Sequence, residues 1–95
     1  MKPNITLIEK EKISGLKFPK GDVLQDDYAI KQRRSDLEKA LRLGNAEYQK
    51  VKIIFESDSG TMCTETTIWN LTENYVILKS NVDIPIRSIH EVELI

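Results

Sequence analysis

Cys63 and His90 are the only cysteine and the only histidine of the chain. Together they are the residue types from which a nucleophile and its base are built. In such a pair the imidazole takes the thiol proton, and a carboxylate, here Glu91 or Asp83, orients the ring. A thiol attacks as the thiolate, so Cys63 would need a helix N-terminus or a neighbouring cation to lower its pKa. It lies instead in TMCTETTIWNL, residues 61–71, a threonine-rich stretch whose β-branched side chains suit a pleated strand. The expected role of Cys63 there is a small, partly buried filler. His90, beside Glu91 and Glu93, reads as a solvated edge residue. Those two glutamates share a strand face, as i and i+2 residues do, but acid–base work needs one of them buried with a raised pKa, and nothing nearby indicates a cleft.

Other chemistries have less to start from. Zinc needs three or four converging Cys, His or carboxylate ligands, and this chain offers one Cys and one His, 27 positions apart. The stretch ESDSG is too short for a calcium-binding EF-hand loop of about twelve residues. The four glycines are isolated, without the spacing of a phosphate-binding loop. The expectation is a protein that is not an enzyme, with no cofactor and no metal.

Two surfaces carry binding interest. Lys31, Arg33, Arg34, Lys39 and Arg42 make a locally basic run, and Trp69 with Tyr75 offers flat aromatic faces on which nucleic-acid bases stack. Asp36 and Glu38 interleave with those cations, which favours a solvated face laced with ion pairs over a nucleic-acid site. The second surface is a protein interface. Along 61–71, Cys63, Thr67, Trp69 and Leu71 fall on one strand face and Met62, Thr64, Thr66 and Ile68 on the other. Both faces carry apolar groups, so either both are covered, Trp69 packing beneath a helix or arm, or one is a bare patch. Tryptophan is enriched among interface anchors; Trp69, Tyr75 and Leu71 are therefore the candidate partner-binding residues, for another protein or a second copy of this chain.

Composition sets the frame for these surfaces. With 95 residues, 31% of them charged and 40% hydrophobic, the chain has material for one folded core. The net charge of −1 lowers the expectation of a nucleic-acid or membrane partner. It conceals a gradient, five Lys/Arg against three Asp/Glu over 1–25, five against five over 26–48 and four against seven over 49–95. A lone cysteine implies no oxidising compartment, and MKPNITLIEKEK lacks the apolar run of a signal peptide or membrane span, so a cytoplasmic location is expected.

The elements that must position these residues follow from periodicity. Residues 1–22, punctuated by Pro3, Gly15, Pro19 and Gly21, read as a partly ordered arm, and 23–95 as a single domain. A helix is predicted over about 23–44, stopped by Gly44-Asn45, with Asp22 in capping-box spacing to Gln25, or Asp26 and Asp27 capping a shorter helix. Its apolar face carries Ile30, Leu37 and Leu41, flanked by Ala40 and the stem of Arg34. Short strands follow at about 50–57, 61–70, 75–79, 82–85 and 89–95. SDSG serves as a three-residue hairpin turn, and Pro85 marks a bend. The fold class is thus α+β, an amphipathic helix followed by a strongly bent antiparallel sheet of four or five strands that curls to bury its apolar face.

The segment YVILKSNVDIPIRSIHEVEL resembles the end of SH3-like and Sm-like small barrels, in which a strand, a short turn and a one-turn 3₁₀ bend lead into a closing strand. The order of helix then barrel is also similar to Sm-like proteins. The glycine-rich second motif of true Sm proteins is missing, and with it the basis for carrying over their RNA site. Taken with RRSDLEKALRLGN, KVKIIFE and TTIW, the last two thirds of the chain resembles small uncharacterised bacterial proteins of Bacteroidetes type. That resemblance implies a free-standing small barrel and no particular activity.

Overall fold

The computed structural model describes residues 5–95; the first four residues of the expected arm lie outside the described residues. The described residues form one α-helix and two sheets, of four and three strands. Helix α1 spans Asp27–Glu47, beginning and ending later than its periodicity predicts. Asp26 is the N-cap, its carboxylate accepting from the Ala29 N–H at 3.1 Å, which leaves the earlier Asp22 for another task. At the other end Tyr48 adopts the left-handed conformation, φ 54°. Its N–H donates to Gly44 O, the 5→1 bond of an αL stop, and the Gln49 N–H reaches Leu43 O at 3.4 Å.

Gly44 therefore sits inside the helix instead of ending it. A Cβ there would lie 2.6 Å from the Ile68 carbonyl oxygen and 3.1 Å from Thr67 Cγ2. The glycine serves close approach of helix and strand, a use that overrides its poor helix propensity. The buried line of α1 is Arg33, Leu37, Ala40 and Gly44, rotated from the expected face. Ile30 and Leu41 flank it half-buried, because the tightest approach is set by the residue without a side chain.

Strands β2 (Val51–Ser57) and β3 (Gly60–Thr66) form an antiparallel hairpin. Its turn is Asp58-Ser59, shorter than predicted, since Ser57 and Gly60 still pair. The Ser57 hydroxyl accepts from the Ser59 N–H and donates to Gly60 O, while Gly60 takes φ 112°, a value that L side chains resist. Strand β7 (Ile89–Leu94) lies antiparallel on the other side of β2, and β1 (Thr6–Leu7) pairs parallel with β3. Across β2, Val51, Ile53 and Phe55 are fully buried, and Lys52, Ile54 and Glu56 between them are half-exposed. The period of two thus assigns one face to the core.

Only Thr67 separates β3 from β4 (Ile68–Leu71), where the chain passes from the first sheet to the second. There β4 pairs with β5 (Tyr75–Leu78), and β5 with β6 (Val82–Pro85), all antiparallel. The β5–β6 turn places Ser80 and Asn81 at positive φ. A 3₁₀ turn, Ile86–Ser88, follows Pro85 and leads into β7. The hydrogen-bonded ladders form two separate sheets.

The segment read as an arm contributes to the core. A 3₁₀ helix over Lys10–Gly15 buries Ile13 completely, a burial worth about 1.5–3 kcal/mol. Phe18 packs on Phe55 at a ring-centroid distance of 6.1 Å. Backbone bonds fasten the segment at Asp58 N to Lys17 O and Val23 N to Arg87 O. No helix among the described residues is long and apolar enough to cross a membrane.

Candidate functional site

Irregularities in the two ladders place Trp69 and His90, each the single residue of its type in the chain. Between Ile68 and Asn70 the β4–β5 register shifts by one, making Trp69 the extra residue. Opposite Ile54 and Phe55 the β2–β7 register shifts likewise, making His90 the extra residue of β7. A bulge re-aims the side chain it carries, and the consequences differ at the two positions.

His90 turns to Glu56, Nε2 to Oε1 at 3.0 Å, and the Thr61 hydroxyl donates to the same oxygen at 2.7 Å. The Thr61 hydroxyl first, and His90 second, hold the Glu56 carboxyl below the usual carboxylate range. His90 is therefore tied to a partner, where the sequence suggested a solvated edge. The order of groups is hydroxyl, carboxylate, imidazole. A nucleophilic relay needs the imidazole in the middle, so this trio has the parts of a relay in an order that cannot transfer the hydroxyl proton to the ring. Cys63 is buried in β3, opposite Ile54 in register and beside Leu7 of β1. Glu91 and Asp83 are both exposed. Among the described residues no three metal-ligating side chains converge.

The basic run divides. Lys31, Lys39 and Arg42 are exposed on α1. Arg33 is buried, its guanidinium donating to the Asp22 carboxylate at 2.7 and 2.9 Å and to Ile89 O at 3.0 Å. Arg34 donates to Thr72 O at 2.8 Å and lies 4.0 Å from Glu38. Arg33 cannot reach a phosphate, and Arg34 is engaged in holding the β4–β5 turn.

The aromatic set divides as well. Leu71 lies opposite Val76, which lies opposite Ile84; Leu71 packs against the core on that inner face. It contributes to the interior and leaves the candidate surface. Trp69 is 46% and Tyr75 42% exposed, so the alternative that buries Trp69 under the helix or arm does not hold. Tyr75 and Ile77 alternate with the buried Val76 and Leu78, which puts them on the outer face of the second sheet.

Beside Tyr75 is a cavity of about 320 Å³ lined by Asp22, Arg33, Glu73, Asn74, Tyr75, Ile86 and Arg87. Four stretches of the chain form it, and hydrogen bonds fix them together. The Ile86 N–H donates to Asn74 O, the Val23 N–H to Arg87 O, and Arg87 Nε to Pro19 O at 2.7 Å. Of this group only Tyr75 and Arg33 stood out in the sequence as binding candidates, and Asp22 only as a helix cap. Asn74 and Arg87 lie in separate turns, and no local spacing links them.

Compared with known protein families, with curated proteins and with solved structures, the chain matches none of them.

Proposed function

We propose that this protein is a non-enzymatic interaction module that binds another protein or a second copy of itself through the outer face of its second sheet, centred on Trp69. The observation that carries this reading is the bulge. It turns a large aromatic side chain outward between Ile68, fully buried, and Leu71, which packs on the core. A half-exposed tryptophan with Tyr75 and Ile77 on the same sheet is the kind of surface that gains most from being covered. We read the fold as a helix preceding a small SH3-like or Sm-like barrel acting in the cytoplasm. The continuous passage of β3 into β4 across Thr67, and the 3₁₀ turn before β7, support that architecture.

Light scattering of the wild type and of Trp69→Ala over a range of concentrations tests the self-association form. A mass above that of the monomer in the wild type, reduced to the monomer in the variant, is the expected result. A monomer in both at every concentration would remove homodimerisation through this face. The rival reading, single-stranded nucleic acid on Lys31, Lys39, Arg42 and the aromatics, has its own signal. A salt-sensitive change in Trp69 fluorescence on adding a mixed oligonucleotide would favour it over the protein interface.

A further inference from the structure

We propose that the cavity between the 73–75 turn, the 86–88 turn and Asp22 binds a carboxylate of the partner, held by the terminal nitrogens of Arg87. This rests on the reading of the protein as a protein-binding module and names the chemistry of one contact. Arg87 Nε donates to Pro19 O at 2.7 Å, which fixes the plane of the guanidinium. Its two Nη groups have no acceptor among the described residues, although Arg87 lines the cavity. A planar fork with both prongs unoccupied matches the two oxygens of a carboxylate.

Neighbouring groups fit the same ligand. The Tyr75 hydroxyl and the Asn74 amide make no side-chain hydrogen bond to a described residue and also line the cavity. Arg33, another lining residue, is already occupied by Asp22 and Ile89 O and supplies no donor to the ligand. The unmet groups here are mostly donors, so the complementary ligand is an acceptor.

Local charge selects among acceptors. Asp22 and Arg33 cancel in their ion pair, leaving Arg87 and the unpaired Glu73 among the charged lining residues. A monoanionic carboxylate meets one cation at short range and little net repulsion. A phosphate dianion would meet the same single cation with its second charge left unpaired beside Glu73. The site is preorganised, since the backbone bonds of Ile86 and Val23 and the bond from the Arg34 guanidinium to Thr72 O that hold its walls exist without a ligand. Little ordering is left to oppose binding.

The test uses the full chain and three short peptides of one Gly/Ser/Phe sequence, followed by amide NMR titration. The first has a free C-terminal carboxylate, the second is C-terminally amidated and carries one glutamate, and the third is amidated and has no acid. Either or both acidic peptides should move the resonances of Asn74, Tyr75 and Arg87, the neutral one should not, and the comparison shows whether a chain terminus or a side chain supplies the carboxylate. Arg87→Gln should weaken the acidic peptides about ten- to hundredfold, and Arg87→Lys, which keeps charge without the fork, by less. The wild-type titration needs no variant and stands even if Arg87→Gln fails to fold. Equal shifts with the neutral peptide, unchanged affinity in a folded Arg87→Gln, no shift with any peptide, or shifts with an oligonucleotide alone would each overturn the carboxylate site. Neutral-peptide binding abolished by Trp69→Ala would overturn it while leaving the interaction face intact.

Discussion

Arg33 and Asp22 meet through a two-pronged contact, Nη2 to Oδ2 at 2.7 Å and Nη1 to Oδ1 at 2.9 Å, with the Arg33 side chain 4% and the Asp22 side chain 31% exposed. The pair joins the middle of α1 to the segment before it, and the further bond from Arg33 to Ile89 O joins both to β7. Removing the acid strands a cation in the interior, so Asp22→Ala should destabilise by about 3–5 kcal/mol. Replacing Arg33 by Met in that background removes the stranded charge while keeping a long side chain. The double variant should be more stable than Asp22→Ala alone. Urea denaturation of the two variants and the wild type checks this; equal stability of single and double variants would show that the charge is not the source of the loss.

Acid should expose the same pair. The Asp22 carboxyl is held below its ordinary range chiefly by the hydrogen bond from Arg33, helped by the Leu24 N–H and opposed by desolvation. Glu56 is lowered by Thr61 and His90. A carboxyl whose folded pKa lies below its unfolded one stabilises the fold fully above the unfolded value, about 3.9 for Asp and 4.3 for Glu. That contribution is lost as pH falls through the lower folded values. The urea midpoint should fall steeply below about pH 4. In Asp22→Asn the acid-dependent drop should be smaller, because one of the carboxyls with a lowered pKa is gone.

How far these features were legible in the sequence depends on distance along the chain. Strand positions were readable because alternation is local, as in Val51, Ile53 and Phe55, and Pro85 announced the bend before β7. The helix was readable in kind, with Asp26 among its candidate caps, but its end and its buried line were not. Asp22 resembles a cap until Arg33, 11 residues on, is seen to need it, and Gly44 resembles a stop until Ile68 is seen to press on it. Arg33 itself looked like one cation among five. Bulges were invisible, since they are properties of a pair of strands, and they decide where Trp69 and His90 point. Leu71 was assigned to the face of Trp69 by simple alternation, which the bulge at Trp69 breaks.

Gly44 supplies a prediction with opposed terms. In an exposed helix interior, Gly→Ala stabilises by about 1 kcal/mol. Here the new methyl would approach the Ile68 carbonyl to 2.6 Å, a contact with backbone that must be relieved by moving α1 off β4. Overpacking of that kind costs about 1–3 kcal/mol. Gly44→Ala should therefore lower the melting temperature or leave it unchanged, in spite of the propensity gain. A clear rise would mean that the helix and β4 are not held at this distance.

Cys63 should behave as a covered thiol. It is 5% exposed, within β3 and flanked by β1, and a disulfide probe needs access to sulfur as well as a thiolate. Reaction should be much slower in the folded protein than for a free thiol at neutral pH, and should rise to the free-thiol rate in denaturant. Rapid reaction without denaturant would mean that β1 leaves the edge of β3 readily, and would return Cys63 to consideration as a functional group.

Trp69 and Leu71 separate binding from architecture. Both are large and apolar, but Trp69 is 46% exposed at the bulge, and Leu71 faces Val76 and packs on the core. Leu71→Ala should cost about 1–3 kcal/mol of folding stability, toward the lower end for a buried leucine because the site is partly open. Trp69→Ala should cost less, about 1 kcal/mol or under, since much of the ring gains nothing from folding. If Trp69→Ala proves as costly as Leu71→Ala, the ring supports the fold, and the outer face loses its central argument. If the fold tolerates the change while association is lost, stability and binding are separated at two positions of one strand, and the exposed tryptophan is accounted for by what it binds.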